Sequence, residues 1–181
     1  MSSTRVELEQ LSDLTPHGHA AGKGLGAAVY PPEVRAHRPA QRIAWARCDW
    51  GALVWHPREG LVAFAGALLR NGLHDGTAVG IGGIGSVKSH PEARGRGHAS
   101  AAVTRVVRFL EDKSGVDFTL LFCRPEIAPF YARLGWQSFA GQVLVEQPQG
   151  KGPLTGFATM VRAGARPAPA RGLIDVCGRP W

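Results

Sequence analysis

Val87 to Asp112 reads VKSHPEARGRGHASAAVTRVVRFLED: a strand end, a break at Pro91, a loop carrying Gly95 and Gly97, then a helix. The apolar residues of the helix are Ala99, Ala102, Val103, Val106, Val107 and Leu110. Their spacing of i, i+3, i+4, i+7, i+8 and i+11 lies along one face of a 3.6-residue period. Arg105, Arg108 and Asp112 fall on the other face. A glycine-bearing loop that feeds a helix leaves the first N–H groups without intrahelical partners. Together with the positive end of the helix dipole, those groups make an anion site. The chemistry read from this stretch begins with a phosphate.

The rest of the composition bounds the fold without deciding the function. With 181 residues, the chain is expected to form one domain spanning 1–181 with a buried core. It is 44% hydrophobic and 19% charged, the balance of a globular protein. No apolar run reaches membrane-spanning length, and MSSTRVELEQ lacks the apolar core of a signal peptide. Cys48, Cys123 and Cys177 are odd in number and widely spaced, so they read as reduced thiols in a cytoplasmic protein, and no metal site is expected. Net charge is +7 with a pI of about 10, but the basic residues are scattered, and no nucleic-acid partner is expected from them.

Outward from the central stretch, Arg5 to Leu11 alternates as a first strand. Thr15 to Tyr30 has helical spacing, and Pro31-Pro32 opens a second short helix expected through Arg42. Ala52 to His56, a PREG turn and Leu61 to Leu69 read as a hairpin. Asn71-Gly72 and Asp75-Gly76 punctuate the connection to a strand over Thr77 to Ser89. Gly80, Gly82, Gly83 and Gly85 inside that strand suggest a bulge or close approach by a ligand. Gly115 closes the helix, and Asp117 to Cys123 is a continuous apolar strand. Pro125 to Leu134 forms a short helix, with Phe130 and Leu134 expected to pack inward. Two last strands, Trp136 to Glu146 and Phe157 to Val161, precede a tail over 163–181.

Arg94-Gly95-Arg96-Gly97-His98-Ala99 fits R-x-x-G-x-A after a strand, which resembles the pyrophosphate loop of the GNAT acetyltransferases. Ile127 to Trp136, IAPFYARLGW, resembles their second signature. The resemblance implies an α/β (α+β) GNAT fold: a mixed, mostly antiparallel twisted sheet of about seven strands with flanking helices, splayed where acetyl-CoA binds. It implies acetyl-CoA as cosubstrate, with the pyrophosphate on Arg94, Gly95, Arg96, Gly97, His98, Ala99 and Ser100 and the pantetheine arm along Val87, Lys88 and Ser89. Tyr131 matches the tyrosine that protonates the CoA thiolate, and a homodimer is expected by analogy.

YARLGWQSFAGQVLVEQPQG, the stretch Ala52 to Ala67 and a final tryptophan further resemble aminoglycoside 2′-N-acetyltransferases. That implies a tail over 163–181 that closes the acceptor site, with Asp49, Ser86, Asp175 and Trp181 lining it. The chain departs from the pattern where Gly85 stands in place of the family's acid and Arg179 in place of another. For the base, the candidates are the carboxylate of Trp181, Asp175, or a water held by Ser86 or strand carbonyls. The Trp181 carboxylate is favoured, because a chain end is ionised at neutral pH and the indole can anchor it. Arg179 in a pocket short of acids favours an acceptor that carries a carboxylate, and kasugamycin fits that demand among aminoglycosides. The expected activity is therefore antibiotic N-acetylation. Acetylation of another small-molecule or protein amine, or a non-catalytic acetyl-CoA-binding regulator, are the alternatives.

Overall fold

The computed structural model describes residues 4–36, 42–113 and 115–181. Ten strands form one mixed sheet: β1 Arg5–Gln10, β2 Trp50–His56, β3 Gly60–His74, β4 Thr77–Ser89, β5 Phe118–Cys123, β6 Gln137–Ser138, β7 Gln142–Gln147, β8 Gly150–Pro153, β9 Ala158–Ala163 and β10 Leu173–Asp175. Four α-helices accompany it: α1 Pro16–Val29, α2 Pro32–Ala36, α3 His98–Glu111 and α4 Ala128–Ala132. Residues 37–41 of the second helix expected through Arg42 lie outside the described residues.

The strand order is β6-β9-β5-β4-β3-β10-β7-β8, with β2 and then β1 added beside β3. Pairing is parallel only between β4 and β5 and between β10 and β7. The β4–β5 pair requires a crossover, and α3 supplies it. Two features exceed the expectation of about seven strands. Trp136 to Glu146 is divided by a non-strand connection into β6 and β7, and Gln147 turns into β8. The tail also contributes β10, which enters the sheet between β3 and β7. Asn71-Gly72, read as a turn, lies within β3, and the hairpin turn is at Asp75-Gly76. A continuous ladder with β4 through His74 outweighs the local turn preference of Asn-Gly.

The sheet has an apolar layer on each face. Ala102, Val103, Val106, Val107 and Leu110 of α3 are buried on one side, as their spacing requires, with Phe109 added. On the other side, Ile81, Leu120, Val143, Ile174, Val176 and Trp181 form a second cluster. Glycines in β4 allow both layers to come close. A Cβ at Gly82 would stand 3.1 Å from Leu110 of α3, and one at Gly83 would stand 2.6 Å from the Trp181 indole nitrogen. The close approach inferred from these glycines is thus made by the protein's own helix and tail.

Candidate functional site

The site begins at a fault in the β3–β4 ladder. Gly66 pairs with Gly85 and Phe64 with Lys88, so Ala65 faces two residues, Ser86 and Val87. This two-against-one count is a β-bulge, and Ser86 sits in its left-handed region at φ 53°. A serine at positive φ is strained by about 1–2 kcal/mol, a departure found most often at functional sites. β4 pairs with β5 only over Ile81–Ile84, while Phe122 and Cys123 of β5 pair with β9 instead. From Gly85 to Ser89, the edge of β4 that faced β5 therefore has no strand partner among the described residues. Val87, Lys88 and Ser89 lie on this open edge, where an extended ligand can add as a strand.

The chain then turns through Pro91–Ala93 and Arg94 into α3. Gly97 is the N-cap at φ 81°, and no side chain caps the helix. A Cβ at Gly97 would meet nothing within 4 Å, so its requirement is conformational: only glycine adopts this φ freely. The first N–H groups of a 14-residue helix consequently remain available to an anion. Arg94, Gly95 and Arg96 are exposed, and Ala99 and Ser100 are half-buried in the first turn. Arg96 is engaged within the protein, because its two terminal nitrogens reach Glu59 at 2.9 and 2.8 Å. His98 is buried, and its Nε2 has no hydrogen-bond partner among the described residues. The free amides of the loop and helix offer a seat to an anion, and the open β4 edge offers one to an extended chain.

Tyr131 lies in the apolar layer shared with α3 and is buried, whereas Phe130 and Leu134 are only half-buried. Phe130 and Leu134 pack against this layer as expected, and Tyr131 is buried within it as well. Trp136 donates its main-chain N–H to the Tyr131 carbonyl, and its ring meets Tyr131 edge-on at 6.2 Å. Burial pushes the Tyr131 hydroxyl above its ordinary pKa, aided by nearby Cys123 and Tyr30. The phenol therefore stays protonated well above neutral pH. Cys123 is itself pushed up to about 11, chiefly by burial. A thiolate released nearby would meet the same desolvation and bind a proton more strongly.

Trp181 is on the opposite face. Its indole nitrogen donates to the Leu120 carbonyl at 3.2 Å, and its ring lies 5.5 Å from Phe122. A Cβ at Gly85 would stand 2.8 Å from the main-chain carbonyl carbon of Trp181. The space of the absent acid side chain is thus filled by the last residue of the tail. Cys48 approaches the same place: a Cβ at Gly66 would fall 2.6 Å from its Sγ and 3.2 Å from the Gly85 carbonyl oxygen. Burial, and then Asp49, push the Cys48 thiol up to about 11.

The structure therefore gathers Gly85, Trp181, Cys48 and Asp49 beside the bulge at Ser86. It does not bring Asp175 there. Asp175 receives Lys151 at 2.7 Å and the Cys177 N–H at 2.8 Å. Burial raises its pKa, but these donors outweigh burial and leave it lowered, which makes it a weak base. Arg179 is exposed and forms no ion pair with any described residue. Cys48, Phe122 and Arg70 went unseen in the sequence. The available signal was paired: glycines at 66, 83 and 85 on neighbouring strands require bulky groups from elsewhere to fill the space.

A bulged strand parting from its parallel neighbour above a free helix N-terminus defines an acyl-CoA-binding transferase. The family model described as "Acetyltransferase (GNAT) domain" matches residues 29–139, and the chain belongs to that family. It is an acetyl-CoA-dependent acyltransferase. Solved structures share the fold. Escherichia coli ElaA is 20% identical with a TM-score of 0.62, over 88% of this chain and 99% of that one. An acyl-CoA N-acyltransferase from Pseudomonas aeruginosa is 20% identical with a TM-score of 0.60, over 89% and 100%. The N-acetyltransferase YhbS of Escherichia coli, in complex with CoA, is 13% identical with a TM-score of 0.62, over 97% and 91%. No curated protein matches the sequence.

Proposed function

We propose that the protein transfers acetyl from acetyl-CoA to a primary amine of an aminoglycoside-type antibiotic, at a 2′-amino group, and so confers resistance in the cytoplasm. The observation that carries the transfer chemistry is the open β4 edge leading from the Ser86 bulge to the uncapped N-terminus of α3. Backbone groups of Val87 to Ser89 hold the pantetheine arm, and the amides from Gly95 to Ser100 hold the pyrophosphate. The neutral amine attacks the thioester carbonyl; the C–N bond forms as the C–S bond breaks. Tyr131 gives its hydroxyl proton to the departing sulfur, and the proton that the acylated nitrogen loses on becoming the amide returns through solvent to the phenolate. The carboxyl group of Trp181, in the space of a Gly85 side chain, accepts the proton of the incoming ammonium. Extending the chain beyond Trp181 by one residue tests that base: full activity would exclude it.

Kasugamycin is our best assignment of the acceptor. Arg179 is exposed and Asp175 is already paired with Lys151, so the arginine is available to a carboxylate. No acid stands at position 85 to attract a polycation. Kasugamycin offers a 2′-amine and a carboxylate, and a guanidinium fork matches the latter. A polycation would meet a like charge near the acceptor amine. Purified protein with acetyl-CoA, assayed by thiol release against kasugamycin, kanamycin, tobramycin and gentamicin, decides the matter. Turnover of kasugamycin alone supports this reading. Efficient turnover of the other three without kasugamycin overturns the charge argument. Acetylation only of unrelated amines or of protein overturns the antibiotic assignment, and binding without turnover indicates a regulator.

A further inference from the structure

The last six residues of the tail are held by a side chain outside the acetyl-transfer machinery. One edge of β3 pairs with β2 up to Ala67 and with β10 from Leu73 onward. Arg70 lies in the interval between them. Its Nη1 donates to the Val176 carbonyl at 3.4 Å, and its guanidinium carbon lies 5.7 Å from the Trp181 ring centroid. It packs against Gly178, where any Cβ would collide with it. Arg70 forms no ion pair with a carboxylate among the described residues. A planar cation half-buried between a carbonyl and an indole face is suited to hold both.

Gly83 completes the seat from below. A Cβ there would lie 2.6 Å from Nε1 and 2.8 Å from Cδ2 of Trp181. From that seat the indole reaches the Leu120 carbonyl, one residue before the β4–β5 ladder ends at Leu121. The tail is also tied to the connection preceding β2, because Ala46 donates to the Pro180 carbonyl at 2.6 Å. That connection carries Cys48 and Asp49 to the bulge.

We propose that Arg70 and Gly83 are positioning residues that seat the Trp181 indole at the fork between β4 and β5 and thereby set the acceptor end of the site. This rests on the N-acetyltransferase reading above. Arg70 touches neither the thioester nor the amine in this scheme; it acts through Trp181.

The test uses Arg70→Met, Arg70→Lys and Gly83→Ala in the full chain. The protein has five tryptophans, and Trp181→Phe identifies which indole N–H resonance belongs to Trp181. In Arg70→Met and Gly83→Ala that resonance should move and exchange faster with solvent. The KM for the acceptor should rise roughly tenfold, the scale of one lost oriented contact, with acetyl-CoA affinity within about twofold of wild type. Arg70→Lys should fall between, since it keeps the charge but not the planar head. An unmoved indole signal in Arg70→Met overturns the proposal. So does a moved signal with unchanged acceptor KM, or a parallel loss of acetyl-CoA affinity, which would mean general damage. If the wild-type protein acetylates no amine, the preceding functional reading fails, and the indole signal alone decides whether Arg70 and Gly83 seat the ring.

Discussion

Arg96 and Glu59 form a two-pronged pair at 2.9 and 2.8 Å that joins the glycine loop before α3 to the β2–β3 turn. His56 adds a third member, 3.2 Å from the same carboxylate. The Glu59 carboxyl is held below its ordinary pKa, first by the Arg96 hydrogen bond, so the pair is fully charged at neutral pH. Of the two loop arginines, Arg96 is thus occupied as a strut and Arg94 is the one exposed outside this pair. Arg94→Ala is expected to weaken acetyl-CoA roughly tenfold, and Arg96→Ala by no more than about threefold, since exposed pairs contribute little. Calorimetric titration with acetyl-CoA at two salt concentrations checks this ordering.

Gly97 carries a different requirement. At φ 81°, any other residue is strained by about 1–2 kcal/mol, too little to unfold a domain with two apolar layers. Gly97→Leu is therefore expected to remain folded by circular dichroism and to lose measurable acetyl-CoA binding, because its side chain would occupy the mouth of the anion cradle. Unchanged affinity in a folded variant would remove the loop from the cofactor site.

Tyr131→Phe removes a hydroxyl and leaves the buried ring. Acetyl-CoA affinity should persist while turnover falls roughly 10²-fold, the scale of general-acid removal. Because burial raises the Tyr131 pKa, the wild-type rate should show no loss from its ionisation between pH 7 and 9. A pH–rate profile of both proteins checks the two expectations together.

His98 provides a stability signature. Burial, and then the Arg96 charge, hold its imidazole below the ordinary value of 6.5, with His56 adding to the shift and Glu59 opposing it. The unfolded chain takes up a proton near that value while the native state resists it. The stability from neutral, buried His98 is present above about pH 6.5 and declines as pH falls below it. Urea midpoints at pH 7.5 and 5.5 should separate more for wild type than for His98→Leu. Equal separations would show that His98 titrates alike in both states.

Local order determined much of this protein. The α3 face, the strand over Thr77 to Ser89, the glycine loop and the IAPFYARLGW segment are legible because each is a run in which spacing and chain conformation agree. The family followed from those runs. Tertiary structure decided the rest. β10 exists because the tail finds the free edge of β3 beyond Ala67, a pairing across about a hundred residues that no local propensity encodes. Tyr131 is buried in the layer that Phe130 and Leu134 border, with Trp136 packed on its ring and bonded to its carbonyl. Arg96 and Asp175 read as ligand-facing in sequence, yet Glu59 of the β2–β3 turn and Lys151 of β8 claim them. The glycines at 83 and 85 announced a close approach, but only folding could show that the approaching group was Trp181. A glycine records the space left at a position, and the group that fills it is fixed by contacts remote in the chain.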